Sequence, residues 1–232
     1  VVLLVASFCV LSFLEYRLDQ DLRWQPDEPK IDLAVYLQQQ SLFSSQTPPA
    51  LSEQAYEVLL KQTGLGKPSV DLLLQKGQKT AIETLEEYQE LLYSKPKILC
   101  RKIGPITSEE RLINEEEKAI AGNQILHLED GDVLITKATH SIGWRHGHAA
   151  LVVDAEKRIT LEAAVWGENT AYQDVRKWES YPTLIQLRYR KNPDVSEQAV
   201  SFAKQQLNDI PYGLLTGMVQ KTKIVDKVSK TQ

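Results

Sequence analysis

The sequence predicts an α+β fold, an antiparallel β-sheet packed with helices, preceded by a helical region and an apolar N-terminal segment. Three observations carry that prediction. Short runs between Val133 and Ala164 alternate side chains with the period of strands and are broken by polar turn residues. Residues 51–122 instead show apolar spacings of three and four, punctuated by helix start and stop signals. Val1 to Leu14, VVLLVASFCVLSFL, is apolar without interruption. Glycine, proline and charge are all ordinary in amount, which fits a globular chain of one or two domains and excludes a fibrous or disordered one. A formal net charge of −4 gives no reason to expect nucleic acid as a partner.

Residues 1–18 read as a membrane anchor or signal segment. The apolar run is shorter than the roughly 20 residues a bilayer-spanning helix needs, no small-x-small cleavage site follows it, and the first residue is Val1. An incomplete, uncleaved anchor or the end of a signal peptide is therefore expected. Cys9, mid-run after Phe8, reads as a small apolar residue. Residues 19–50 are polar and contain Pro26, Pro29, Pro48 and Pro49, as a linker or stalk would, with one short helix near Ile31 to Gln40.

Helices follow. Leu51, Ala55, Val58 and Leu59 share a helical stripe ending at Gly64 and Gly66. Pro68 opens a short helix through Leu74, closed by Gly77. Thr80 and Glu83 form a capping box ahead of Ala81, Leu85, Tyr88 and Leu92. A second such box, Thr107 and Glu110, predicts a charged helix ending near Gly122.

The strands come next, at Val133 to Thr136, His148 to Val153 and Ile159 to Ala164, the last two joined by the turn Asp154 to Arg158. Alternation puts His148, Ala150 and Val152 on one face and Thr160, Glu162 and Ala164 on one face of the return strand. If 148 pairs with 164 and 150 with 162, the two faces coincide, and His148 meets Glu162 diagonally across the hairpin. A slip of one residue would send them to opposite sides. An imidazole oriented by a carboxylate is a general base of fixed tautomer, two-thirds of a nucleophilic triad.

Cys100 is the only thiol outside the apolar run, but the following Arg101, Lys102, Ile103, Gly104 and Pro105 cannot start the helix that would favour a thiolate. Two cysteines supply no stabilising disulfide framework, and no G-x-S-x-G elbow offers a serine. His146 and His148 with His140, Asp132 or Glu162 would make a metal site, although Gly147 between them argues for a bend and no H-E-x-x-H spacing is present. His127, His140 and His146 otherwise read as structural or surface residues. For Glu162 the structural alternative is a salt bridge to Arg145 or Arg158. Beyond the hairpin, Trp166 to Tyr181 reads as a loop walling a groove. Ile185, Leu187 and Tyr189 form one strand face opposite a wet face of Gln186, Arg188 and Arg190. Asp194 or Ser196 caps a helix burying Val195, Ala199, Phe202 and Ala203.

Gly131-Asp132-Val133-Leu134-Ile135-Thr136, the strand from His148, Leu161-Glu162-Ala163 and Pro211-Tyr212-Gly213 together resemble the permuted branch of the NlpC-type papain-like cysteine hydrolases, the YiiX and YaeF-like group. The resemblance covers about residues 123 to 232. It implies a permuted papain-like domain with His148 as base, Glu162 as orienting residue and Tyr212 as a lesser candidate. The nucleophilic cysteine would lie on a helix beyond Gln232, so the chain as given is expected to lack hydrolase activity. The implied chemistry is hydrolysis or transfer at amide or acyl bonds of cell-wall peptides or lipid-linked substrates, outside a bacterial membrane, without a cofactor. A metal-dependent hydrolase and a non-catalytic binding module are the competing expectations.

Overall fold

The computed structural model describes residues 2–21, 26–39, 51–94, 96–141, 144–165 and 167–211, and confirms a mixed α+β architecture with antiparallel sheets. The chain forms two compact units, one drawn from residues 23–96 and 122–126, the other from 1–22, 97–121 and 127–232.

The first unit is helical: α2 (Leu33–Gln39), α3 (Glu53–Thr63), α4 (Lys67–Gln75) and α5 (Gln78–Tyr93). Ser52 caps α3 through its side chain, and Gly64 ends it in the left-handed conformation, the stop the sequence predicts. The stripes converge on a core of Leu33, Leu37, Ala55, Leu59, Val70, Leu73, Ala81 and Leu85. Two expectations change. Residues 26–39 are no stalk: Leu33 and Leu37 are buried, and buried Gln62 and Gln89 hydrogen-bond the backbone of Pro29 and Ile31. Helix α5 starts at Gln78 with Gly77 as cap, so Thr80 and Glu83 lie inside it. Residues 40–50 fall outside the described residues.

The second unit begins with α1 (Val2–Asp21), which leaves Val2, Leu3, Leu4 and Val5 exposed. Among the described residues no helix is long and apolar enough to cross a membrane. Two sheets follow. One has the order β1 (Lys97–Lys102), β2 (Thr107–Ile113), β4 (Thr139–Ser141), β5 (Trp144–Arg145). The other runs β8 (Ala171–Asp174), β7 (Ile159–Glu162), β6 (His148–Asp154), β3 (Val133–Thr136), β9 (Ile185–Leu187). The expected helical region thus ends at Tyr93, and the charged helix from Thr107 is strand β2. Its Glu109, Glu110 and Arg111 are all buried, each satisfied by a partner brought from elsewhere in the unit, and that pairing overrides the local helical signal.

Within the second sheet, Leu151 pairs with Leu161 and Val152 with Thr160 before a register shift toward Asp154. That pairing continues the register expected for the hairpin. The short helix α6 (Arg176–Glu179) follows β8, so the expected loop after Trp166 contains a strand and a helix. Trp166 itself is outside the described residues. Strand β9 shows its faces inverted. Ile185, Leu187 and Tyr189 are exposed, while Arg188 and Gln186 turn to the fully buried Asp132, which Arg188 grips through two nitrogens at 2.7 Å each. A buried carboxylate needs a cation more than the strand needs to hide a leucine. Helix α7 (Pro193–Phe202) is capped by Asn192, not by Asp194 or Ser196, and runs into one π turn over Ala203–Leu207. It buries Val200 and Ala203 against Val153 and Leu161 and leaves Val195 and Phe202 exposed.

Candidate active site

His148 opens β6, and what precedes it fixes its position. Gly147 has φ +77, and a Cβ there would lie 2.7 Å from the carbonyl oxygen of Thr136 on β3, so only glycine fits this close approach. Glu162 closes β7. With Leu151 opposite Leu161, the position facing Glu162 is Ala150, two residues along β6 from His148, and the imidazole reaches the carboxylate diagonally.

The contact is direct: His148 Nε2 lies 2.5 Å from Glu162 Oε2. The same oxygen receives Lys177 Nζ from α6 at 2.7 Å. Oε1 accepts from Thr160 Oγ1 at 2.7 Å and, at a long 3.5 Å, from Trp178 Nε1. The Glu162 side chain is wholly shut from solvent. Burial by itself raises its pKa. The His148 hydrogen bond and the Lys177 charge outweigh burial and hold it down at about 2, so the group is a carboxylate at any working pH. A carboxylate only accepts, so a neutral His148 carries its proton on Nε2. Nδ1 is then the ring nitrogen left to take another.

Below the imidazole lies Trp178, fully buried and stacked nearly parallel to it, with ring centroids 5.3 Å apart and planes at 13°. Tyr181 meets Trp178 edge-on and donates to Glu109 Oε2 at 3.1 Å. Burial and the neighbouring Glu109 push the Tyr181 phenol up despite Arg111. The Arg111 guanidinium sits 3.8 Å over that ring and bonds the backbone oxygen of Lys177 and the hydroxyl of Ser180. Glu109, whose burial is outweighed by its bonds to Arg111, Arg101 and Tyr181, keeps a lowered pKa. This buried network pins the helix that carries Lys177 and Trp178.

His148 lines a cleft of about 240 Å³ with Thr107, Thr139, Ser141, His146, Ala163 and Ala164 among its other walls. Every lining side chain is small or polar, and none exceeds histidine in size. The hydroxyls of Thr107 and Thr139 are buried without a hydrogen-bond partner.

The other candidates fall elsewhere. His146 shares the cleft, but its Nε2 bonds Ser141 Oγ at 2.8 Å, and burial lowers its pKa. No group of three or more His, Cys, Asp or Glu side chains among the described residues is arranged to hold a metal ion, and the ring nitrogens of His146 and His148 that bond do so to different partners. Cys100 pairs with Glu110 in the first sheet and is not part of the cleft. Arg145 and Arg158, the salt-bridge alternatives for Glu162, bind Glu110 and Glu179 instead. Tyr212 lies outside the described residues. Sequence reasoning missed Lys177, Trp178 and Thr160. Only Thr160 left a trace, as a hydroxyl on the same strand face as Glu162. Comparison with family models, curated proteins and solved structures gave no match.

Proposed function

We propose that this chain carries the base and orienting residue of a cysteine hydrolase or acyl transferase of permuted papain-like type, working at the bacterial cell envelope. The single observation that supports it most is the 2.5 Å contact of His148 with a buried, ionised Glu162 on the wall of a cleft. In this reading a cysteine thiol, placed beyond Gln232 by the family resemblance, loses its proton to His148 Nδ1. The thiolate then attacks an amide or acyl carbonyl, and His148 returns the proton to the leaving group. Glu162 keeps the ring in the right tautomer and stabilises the imidazolium while it lasts. Backbone N–H groups near the cysteine would meet the oxyanion.

The small polar lining of the cleft favours a slim amide substrate, such as a cell-wall peptide, over a long acyl chain, which needs apolar walls. The apolar side chains exposed along α1 fit attachment to a membrane surface. The test is to express the gene product with its downstream residues and assay amide cleavage with and without a thiol-alkylating agent. Activity lost on alkylation and on His148→Ala supports the hydrolase. A product with no reactive thiol, or one indifferent to His148→Ala, leaves a binding module instead.

A further inference from the structure

The Glu162 carboxylate is shared. A buried carboxylate beside a histidine favours the imidazolium over the neutral ring, and an imidazolium is no base. Here a second cation occupies the same oxygen: Lys177 Nζ is 2.7 Å from Oε2, beside His148 Nε2 at 2.5 Å. The Lys177 side chain is 23% exposed and that of Glu162 not at all, so water screens this pair little. With Lys177 charged and Glu162 ionised, the trio is neutral when the imidazole is neutral. Protonating His148 would leave one uncompensated positive charge in a buried site.

We propose that Lys177 is a positioning residue for His148: it neutralises Glu162, so that the imidazole stays uncharged and able to take a proton from a nucleophile. The proposal rests on the base role given to His148 above. The placement of Lys177 is built in, since its backbone oxygen accepts bonds from Arg111 and Ser180. The groups facing the pair are Glu162 from β7, Lys177 and Trp178 from α6, Tyr181 just after α6, and His146 from the turn before β6. Thr136 on β3 and Ala171 on β8, the cross-strand partners of His148 and Glu162, do not titrate. No other cation touches the Glu162 carboxylate among the described residues.

The test is a pH titration of the His148 ring by NMR in the chain as it stands, with Lys177→Met and Lys177→Arg beside the parent. Removing the cation should displace the His148 curve upward relative to the parent. Lys177→Arg should restore the parent curve. A curve that stays in place or moves down in Lys177→Met overturns the proposal, because a merely loosened site would drop the carboxylate contact and lower the curve. Should Lys177→Met fail to fold, the ring nitrogens of the parent decide at neutral pH: a proton on Nε2 alone supports the proposal, and protons on both nitrogens overturn it. No turnover is measured, so an unmoved curve removes Lys177 from its role and leaves the hydrolase standing. A product inactive in the amide-cleavage assay does the reverse.

Discussion

The second unit contains the same chemical trio twice. In one sheet His148 bonds Glu162, which Lys177 also grips. In the other, His140 Nε2 lies 2.9 Å from Glu110 Oε1, which Arg145 also grips at 2.7 Å. Each is a histidine, a buried glutamate and a long cation. They differ in access: His140 is wholly buried, whereas the His148 side chain is 11% exposed and faces the cleft. The cation also differs, a fork-shaped guanidinium that spans both oxygens of Glu110 against a point-like ammonium on one oxygen of Glu162. A sealed trio with a forked clamp can only hold strands together, while the open one can exchange a proton. Composition does not tell the two trios apart; access does.

The contrast is broken most sharply by exchanging the losses. If the proposed hydrolase reading holds, His148→Ala in a chain that carries the nucleophile should cut turnover about a thousandfold or more, measured as kcat/KM, with little change in the unfolding midpoint. If turnover survives, the two trios are functionally alike. Next in size, Glu110→Ala strands His140 and Arg145 in the first sheet and should cost about 3–5 kcal/mol, read by urea unfolding, with the His148 ring spectrum unchanged.

A pH experiment separates the trios by a different route. The folded pKa of Glu162, about 2, lies below its unfolded value of 4.5, so the unfolded chain takes the proton first as acid is added. The stability this group contributes is present above about pH 4.5 and is lost as pH falls toward 2, on the order of 3 kcal/mol in all. Glu162→Gln should flatten that part of the stability curve, and an unchanged acid slope would refute the ionic description. Smallest is Gly147→Ala, which forces a left-handed backbone and a 2.7 Å contact on a side chain, at about 1–3 kcal/mol. Its sharper readout is the His148 ring signal, which should shift with the displaced strand start.

Much of the open site was legible in the sequence, because a hairpin obeys a period of two. Once Leu151 faces Leu161, parity alone puts His148 and Glu162 on one side. The sealed trio was illegible for the opposite reason. Glu110 and Arg111 read as helix residues until the strands that supply His140 and Arg145 and the turn after α6 that supplies Ser180 and Tyr181 are in place, and those partners come from 30 or more positions away. The same non-locality hid Lys177 and Trp178, whose four-residue helix leaves no periodic pattern. The inverted faces of β9 did carry a hint, Asp132 in an otherwise apolar strand approach, a charge that had to be answered by the Arg188 side of that strand.

The bulge between Val152 and Asp154 divides the hairpin into two lengths with different parity. At its far tip, Asp154 sits across from Ile159, one step out of phase with the pairing nearer the cleft. Because the irregularity takes up that offset, the phase of the pairing nearer the cleft does not depend on the length of the turn. Segments of other lengths grafted between Ala155 and Arg158 would rewrite the outer turn and leave the contact of His148 with Glu162 at the other end as it was.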